Sequence, residues 1–76
     1  MKALLEFLAK SLVDHPDQVR VEETETDSGV LLRLSVAKED VGKVIGKQGR
    51  IARALRTVVK ASAVKDGKQA TVEILD

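Results

Sequence analysis

Val44-Ile45-Gly46-Lys47-Gln48-Gly49-Arg50-Ile51 decides how the rest of the chain is read. Two glycines flank two long polar residues. An apolar pair stands before them and a basic amphipathic segment follows. Gly46 and Gly49 can take backbone angles that a Cβ penalises, and they leave no side chain between the main chain and whatever docks on it. Lys47 and Gln48 sit at the tip, within reach of a phosphate or a base edge. The residues after Gly49 read as a helix. Its first turn offers free N–H groups and the positive end of a dipole, which together make an anion site. Gly-x-x-Gly alone occurs by chance in many chains. Val-Ile before it and Arg-Ile-x-x-x-Leu after it make the signal specific.

Downstream, residues 50–64 carry the clearest helical pattern. Arg50, Arg53, Arg56 and Lys60 fall within one arc of about 120° at 100° per residue. Ile51, Leu55, Val58, Val59 and Ser62 lie opposite, so one face is core and the other basic. Ala54 and Ala61 fall between the two. Asp66-Gly67 ends the helix, and residues 69–75 alternate as a strand, with Ala70, Val72 and Ile74 against Thr71, Glu73 and Leu75.

Upstream, residues 38–45 suit a short helix. Lys38-Glu39-Asp40 place acids at its start, where the dipole favours them, and Val41, Val44 and Ile45 point inward. Residues 30–36 alternate cleanly, Val30, Leu32, Leu34 and Val36 against Leu31, Arg33 and Ser35. Residues 19–26 form another strand. Asp27-Ser28-Gly29 joins the two as an antiparallel hairpin. Residues 2–13 read as a helix with an apolar stripe of Leu4, Leu5, Phe7, Leu8, Leu12 and Val13, ended by His15-Pro16. The order helix, strand, strand, helix, helix, strand gives an α+β two-layer sandwich: a three-stranded sheet with one face covered by three helices. The position of the third strand is left open.

Composition narrows the function. Seventy-six residues make one small domain, 1–76, and 43% are apolar, enough for a single core. Phe7 is the only aromatic residue, which argues against base-stacking platforms of the RNA-recognition-motif or OB type. There is no cysteine and only one histidine, so neither a disulfide framework nor a zinc site is expected. Glu6 and Lys10 break the N-terminal apolar run, so no signal peptide is read there, and no apolar run reaches membrane-span length. A cytoplasmic location follows as the expectation.

Net charge is only +1. However, residues 41–65 hold Lys43, Lys47, Arg50, Arg53, Arg56, Lys60 and Lys65 with no acid, while the remainder has six bases against twelve acids. The glycine loop therefore sits at the centre of a positive face, as expected of a nucleic-acid binder. The acidic run Glu22, Glu23, Glu25 and Asp27 reads as a solvated edge strand, and His15 as a loop residue. No Ser/His/Asp set or flanking carboxylate pair suggests catalysis. No Lys-Ser/Thr follows the second glycine, so the loop is not a Walker motif. Neither a cofactor nor a metal is expected.

The loop 44–51 resembles the signature of the KH domain, and the element order αββααβ resembles its type II form. Leu12-Val13-Asp14-His15-Pro16-Asp17, the loop, and Arg56-Thr57-Val58-Val59-Lys60 are similar to the KhpA (YlqC) family of small bacterial single-KH proteins, across essentially the whole chain. KH loops clamp the backbone of about four nucleotides. The resemblance implies single-stranded RNA as partner, no small-molecule substrate, and self-association or pairing with a KhpB/Jag-type KH protein. It also implies post-transcriptional control linked to cell elongation and division.

In the expected site, a single strand lies between the glycine loop and the second strand. Gly46 and Gly49 admit its backbone, and Lys47 with the helix N–H groups takes phosphates. Lys43, Arg50 and Arg53 add charge. Val44, Ile45 and Val36 are groove floor, with core packing an equal alternative for Val44 and Ile45. Gln48 either bonds a base or holds the loop. The competing reading is a dimerising protein-interaction module, packed through Ala54, Ala61, Ala63 and Leu55, with RNA secondary.

Overall fold

The run of alternating residues 30–36 becomes the central strand of the sheet, and the remaining elements are placed by how they cover it. The computed structural model describes residues 1–75. Asp76, the last residue of the expected domain span, lies outside them. In chain order the elements are α1 (Lys2–Leu12), β1 (Arg20–Thr26), β2 (Gly29–Ser35), α2 (Val41–Ile45), α3 (Arg50–Lys65) and β3 (Ala70–Ile74). Single 3-10 turns occupy Pro16–Gln18, Lys38–Asp40 and Lys47–Gly49.

The sheet order is β1-β2-β3. β1 and β2 pair antiparallel from Arg20↔Ser35 to Thr26↔Gly29, as the short turn requires. β3 lies parallel to β2, from Val30↔Ala70 to Leu34↔Ile74. A parallel partner needs a long crossover, and α2, the glycine loop and α3 supply it. The third strand thus finds its place beside β2, leaving β1 and β3 as edges.

Leu32 and Leu34 of β2 are fully buried, and they meet Leu5 and Ala9 of α1, Val44 of α2, and Leu55, Val59 and Ala63 of α3. All three helices bury an apolar stripe in this one layer of side chains. At the end of α3, Gly67 N–H donates to Val64 O and Lys68 N–H to Ala63 O, the paired bonds of a glycine-terminated helix.

Three expectations are corrected here. Phe7 and Leu12 do not join the stripe: they are 68% and 38% exposed, because the inward positions of α1 are Leu5 and Ala9. Val58 is 43% exposed, on the side of α3 turned away from the sheet. Leu55 and Ala63, offered as surface for a partner, are buried in the core instead.

Candidate nucleic-acid interface

The loop is made by two glycines in different conformations. Gly46 ends α2 at φ 75° and ψ 173°, a region that only glycine occupies readily. Gly49 precedes α3 at φ 73° and ψ 15°, the left-handed region. Between them Gln48 also has positive φ, at 59°. That conformation costs a residue with a Cβ about 1–2 kcal/mol. Gly46 O accepts Gly49 N–H at 3.1 Å, which closes the turn. Lys47 and Gln48 project from it, both exposed.

Turning directly into α3 leaves that helix uncapped. Its N-cap is Gly49, with no side-chain cap and no acid in the first turn. The Arg50 N–H is used by Lys47 O. The next N–H groups of the first turn have no intrahelical acceptor, as at any helix start. The cations around them are ordered by the loop itself: Arg53 donates to Gln48 O at 3.2 Å and Arg50 to Gln48 Oε1 at 3.4 Å. Among the described residues, Lys47, Arg50, Arg53, Arg56, Lys60 and Lys65 form no ion pair. Their field therefore stays available to an outside anion.

Lys43 differs from the others. Its ammonium pairs with the Asp14 carboxylate and lies 3.7 Å from Asp40 Oδ1, and the Asp14 bond raises its pKa. Asp40 is the feature that sequence reasoning missed. It stands at the start of α2, as expected, but is fully buried. Its Oδ2 accepts the His15 N–H at 2.9 Å and lies 3.0 Å from His15 Nδ1, while Oδ1 accepts the Asp14 N–H at 3.3 Å. Burial works to raise the Asp40 pKa, but the His15 ring and the two main-chain N–H groups outweigh it, and the net shift is downward. The same bond to Asp40 raises the His15 pKa. This cluster staples the break after α1 to the start of α2, and the glycine loop hangs from the other end of α2. The partners are 25 and 26 residues apart, so no local pattern could have shown the contact.

Val44 is fully buried, which settles it as core. Val41 and Ile45 are half-buried on the same side of α2. A cleft of about 370 Å³ lies beside Val41, lined also by Ser35, Val36, Lys38 and Leu75.

The free main-chain edge beside the helices belongs to the third strand, not the second. β2 is paired on both sides. In β3, Leu75 N–H donates to Leu34 O and Gln69 O accepts from Val30 N–H. Odd-numbered residues thus turn their main chain toward β2, and Ala70, Val72 and Ile74 present theirs at the free edge. α3 packs beside that edge: Arg56 Nε donates to Val72 O at 3.4 Å. A groove therefore runs between α3 and the edge of β3, with the glycine loop at one end.

The sequence profile described as "KhpA/KhpB, KH domain" matches residues 2–74. Proteins named RNA-binding protein KhpA are similar over their full length. That of Clostridium acetobutylicum is 61% identical over 99% of this chain and 100% of its own. That of Bacillus subtilis is 51% identical over 100% and 94%. Two solved structures share the fold at 15% identity: a variant of Aquifex aeolicus Era bound to GDP.AlF4-, with a TM-score of 0.66, and Era in complex with MgGDPNP and nucleotides 1506–1542 of 16S ribosomal RNA, with 0.65. In each the likeness covers 96% of this chain and 28% of the Era chain. With a type II KH topology, a Gly-x-x-Gly turn leading into an uncapped basic helix, and relatives matched end to end, the chain belongs to the KhpA/KhpB family of KH domains.

Proposed function

We propose that this protein is a non-catalytic cytoplasmic binder of single-stranded RNA acting in post-transcriptional control, with one KH unit spanning residues 1–76. The observation that carries this reading is the uncapped start of α3 behind two side-chain-free positions, beside Lys47, Arg50 and Arg53, which form no ion pair among the described residues. A phosphate of the strand sits over Gly49 and accepts from the N–H groups of the first turn of α3. Lys47 closes on it from the tip, and Arg50 and Arg53 hold its neighbours. Lys43, committed to Asp14 and Asp40, acts at longer range. Ile45 and Gly46 form the wall against which the sugar-phosphate backbone passes, with Val44 supporting from the core. Gln48, whose amide and carbonyl hold the arginines, shapes the loop. With a single, distant aromatic residue, bases are held loosely and sequence preference is weak. The names of the relatives, RNA-binding protein KhpA, support the same reading.

Replacing Lys47 and Gln48 together by aspartate sets like charge against phosphate. Affinity for a single-stranded RNA, followed by fluorescence anisotropy, is expected to fall at least tenfold with the circular dichroism spectrum unchanged. In the parent protein, two to four neutralised phosphates give a log–log salt slope of roughly −1.5 to −3. Unaltered affinity in the double variant rejects the loop as the site.

A second reading accompanies the first. Ala54, Val58 and Ala61 are exposed at helical spacing on the side of α3 away from β3, a small apolar strip suited to helix packing. We propose that a second copy, or a KhpB/Jag-type KH protein, docks there, raising avidity for RNA by linking two weak sites. Sedimentation of the protein alone separates the two: a monomer at tens of micromolar removes the homodimer.

A further inference from the structure

We propose a second nucleotide-binding site at the far end of the α3–β3 groove, which takes a phosphate and a base of an RNA strand already seated on the glycine loop. It rests on the proposed RNA-binding reading and extends it. Between the last turns of α3 and the start of β3 lies a cavity of about 280 Å³ lined by Lys60, Val64, Lys68, Gln69, Ala70 and Thr71. Its chemistry is that of a nucleotide subsite. Lys60 comes from the helix and Lys68 from the turn that follows it, and neither forms an ion pair among the described residues. Val64 beside them is 73% exposed, an apolar surface without a partner in the fold. Gln69, Ala70 and Thr71 line the strand side of the cavity. Two ammonium groups with an adjoining apolar wall match a phosphate joined to a base.

Position connects this cavity to the loop. Lys60 is ten residues along α3 from Arg50, about 15 Å at 1.5 Å per residue. Arg53 and Arg56 lie between, on the same basic arc. Ala70, at the cavity, and Ile74, at the loop end, belong to the same free edge of β3, and the Arg56–Val72 contact spans the groove midway. At 3.4 Å that contact is longer than an ordinary N–H···O bond. It yields readily to a strand passing beneath or over it. The loop's own clamp covers about four nucleotides, so only a longer strand reaches the cavity.

The test uses fluorescein-labelled oligouridylates of four and eight nucleotides, with the whole protein and its Lys60→Gln/Lys68→Gln variant. Both lysines are exposed, and an unchanged thermal melt confirms the variant's fold. The parent is expected to bind the octamer about tenfold tighter than the tetramer. The variant is expected to keep tetramer affinity within about twofold and lose most of the octamer gain. Its octamer salt slope should be shallower by about 0.7, the effect of one phosphate on a single strand. An octamer gain equal in parent and variant overturns the second site. Failure of the tetramer to respond to the Lys47/Gln48 double aspartate overturns the primary reading instead, so the two failures are distinguishable.

Discussion

Alanine at Gly46 and alanine at Gly49 should fail for opposite reasons. A Cβ on Gly46 would lie 2.6 Å from Ile51 Cγ1 and 2.9 Å from Ile51 Cβ and Cδ1, and Ile51 is packed against the core. The backbone region of Gly46 costs other residues about 1–3 kcal/mol, and forcing a methyl into packed atoms about 1–3 kcal/mol more. A Cβ on Gly49 meets nothing within 4 Å. Its left-handed conformation costs about 1–2 kcal/mol, offset by about 0.4–1 kcal/mol of unfolded-state entropy. Gly46→Ala should therefore destabilise by roughly 2–6 kcal/mol less the same entropic offset, and Gly49→Ala by at most ~1.5 kcal/mol. In a domain of this size 1 kcal/mol moves Tm by about 4–8 °C. Thermal melts followed at 222 nm should show Gly49→Ala within ~12 °C of the parent, and Gly46→Ala far lower or unfolded.

The space above Gly49 is where the RNA backbone is placed, so its methyl displaces a phosphate from the helix N–H groups. Losing one charge-assisted bond of about 1.5–3 kcal/mol means a fall in RNA affinity of tenfold or more in a folded protein. Equal melting losses at the two positions would refute the packing argument. A folded Gly49→Ala protein that binds RNA like the parent would refute the placement of the phosphate.

Gln48→Gly removes the positive-φ penalty of about 1–2 kcal/mol at an entropic cost of about 0.5–1 kcal/mol. The net effect is a Tm unchanged or higher by a few degrees, with RNA affinity reduced because Arg50 loses its amide partner; a lower Tm would show the loop to be unstrained. The His15–Asp40 staple has a definite pH window. His15, raised above its usual 6.5, contributes stability fully below that value and loses it as pH rises through the raised pKa. Asp40, lowered from 3.8, contributes above that value and loses it as pH falls through the lowered pKa. Urea midpoints of the parent should fall between pH 6 and 8, and His15→Gln should flatten that slope; parallel profiles would show that the ring carries no proton-linked stability.

The elements and the loop were readable because their signals are local. The alternation of Val30, Leu32 and Leu34, the glycine pair and the arc of Arg50, Arg53 and Lys60 are each complete within one element. What stayed hidden depends on contacts between distant segments. β3 could go beside either strand of the hairpin until the crossover placed it against β2, and that choice left the free sheet edge on the third strand. Asp40 looks like any acid at a helix start until His15 and Asp14 arrive from 25 residues away, and Lys43 then turns inward to it. Phe7 misled for the converse reason: its hydrophobicity suggested burial, while its angular position on α1 faces water.

The most direct measurement is an amide NMR titration with a single-stranded tetranucleotide. The expected result is a set of saturable shifts at Gly46, Lys47, Gln48 and Gly49 and along the first turn of α3 through Arg53, with the hairpin acids Glu22, Glu23, Glu25 and Asp27 unmoved. Shifts confined to that hairpin, with Gly46 through Arg53 silent, would contradict the claim that an uncapped helix start behind two bare glycines receives the RNA backbone.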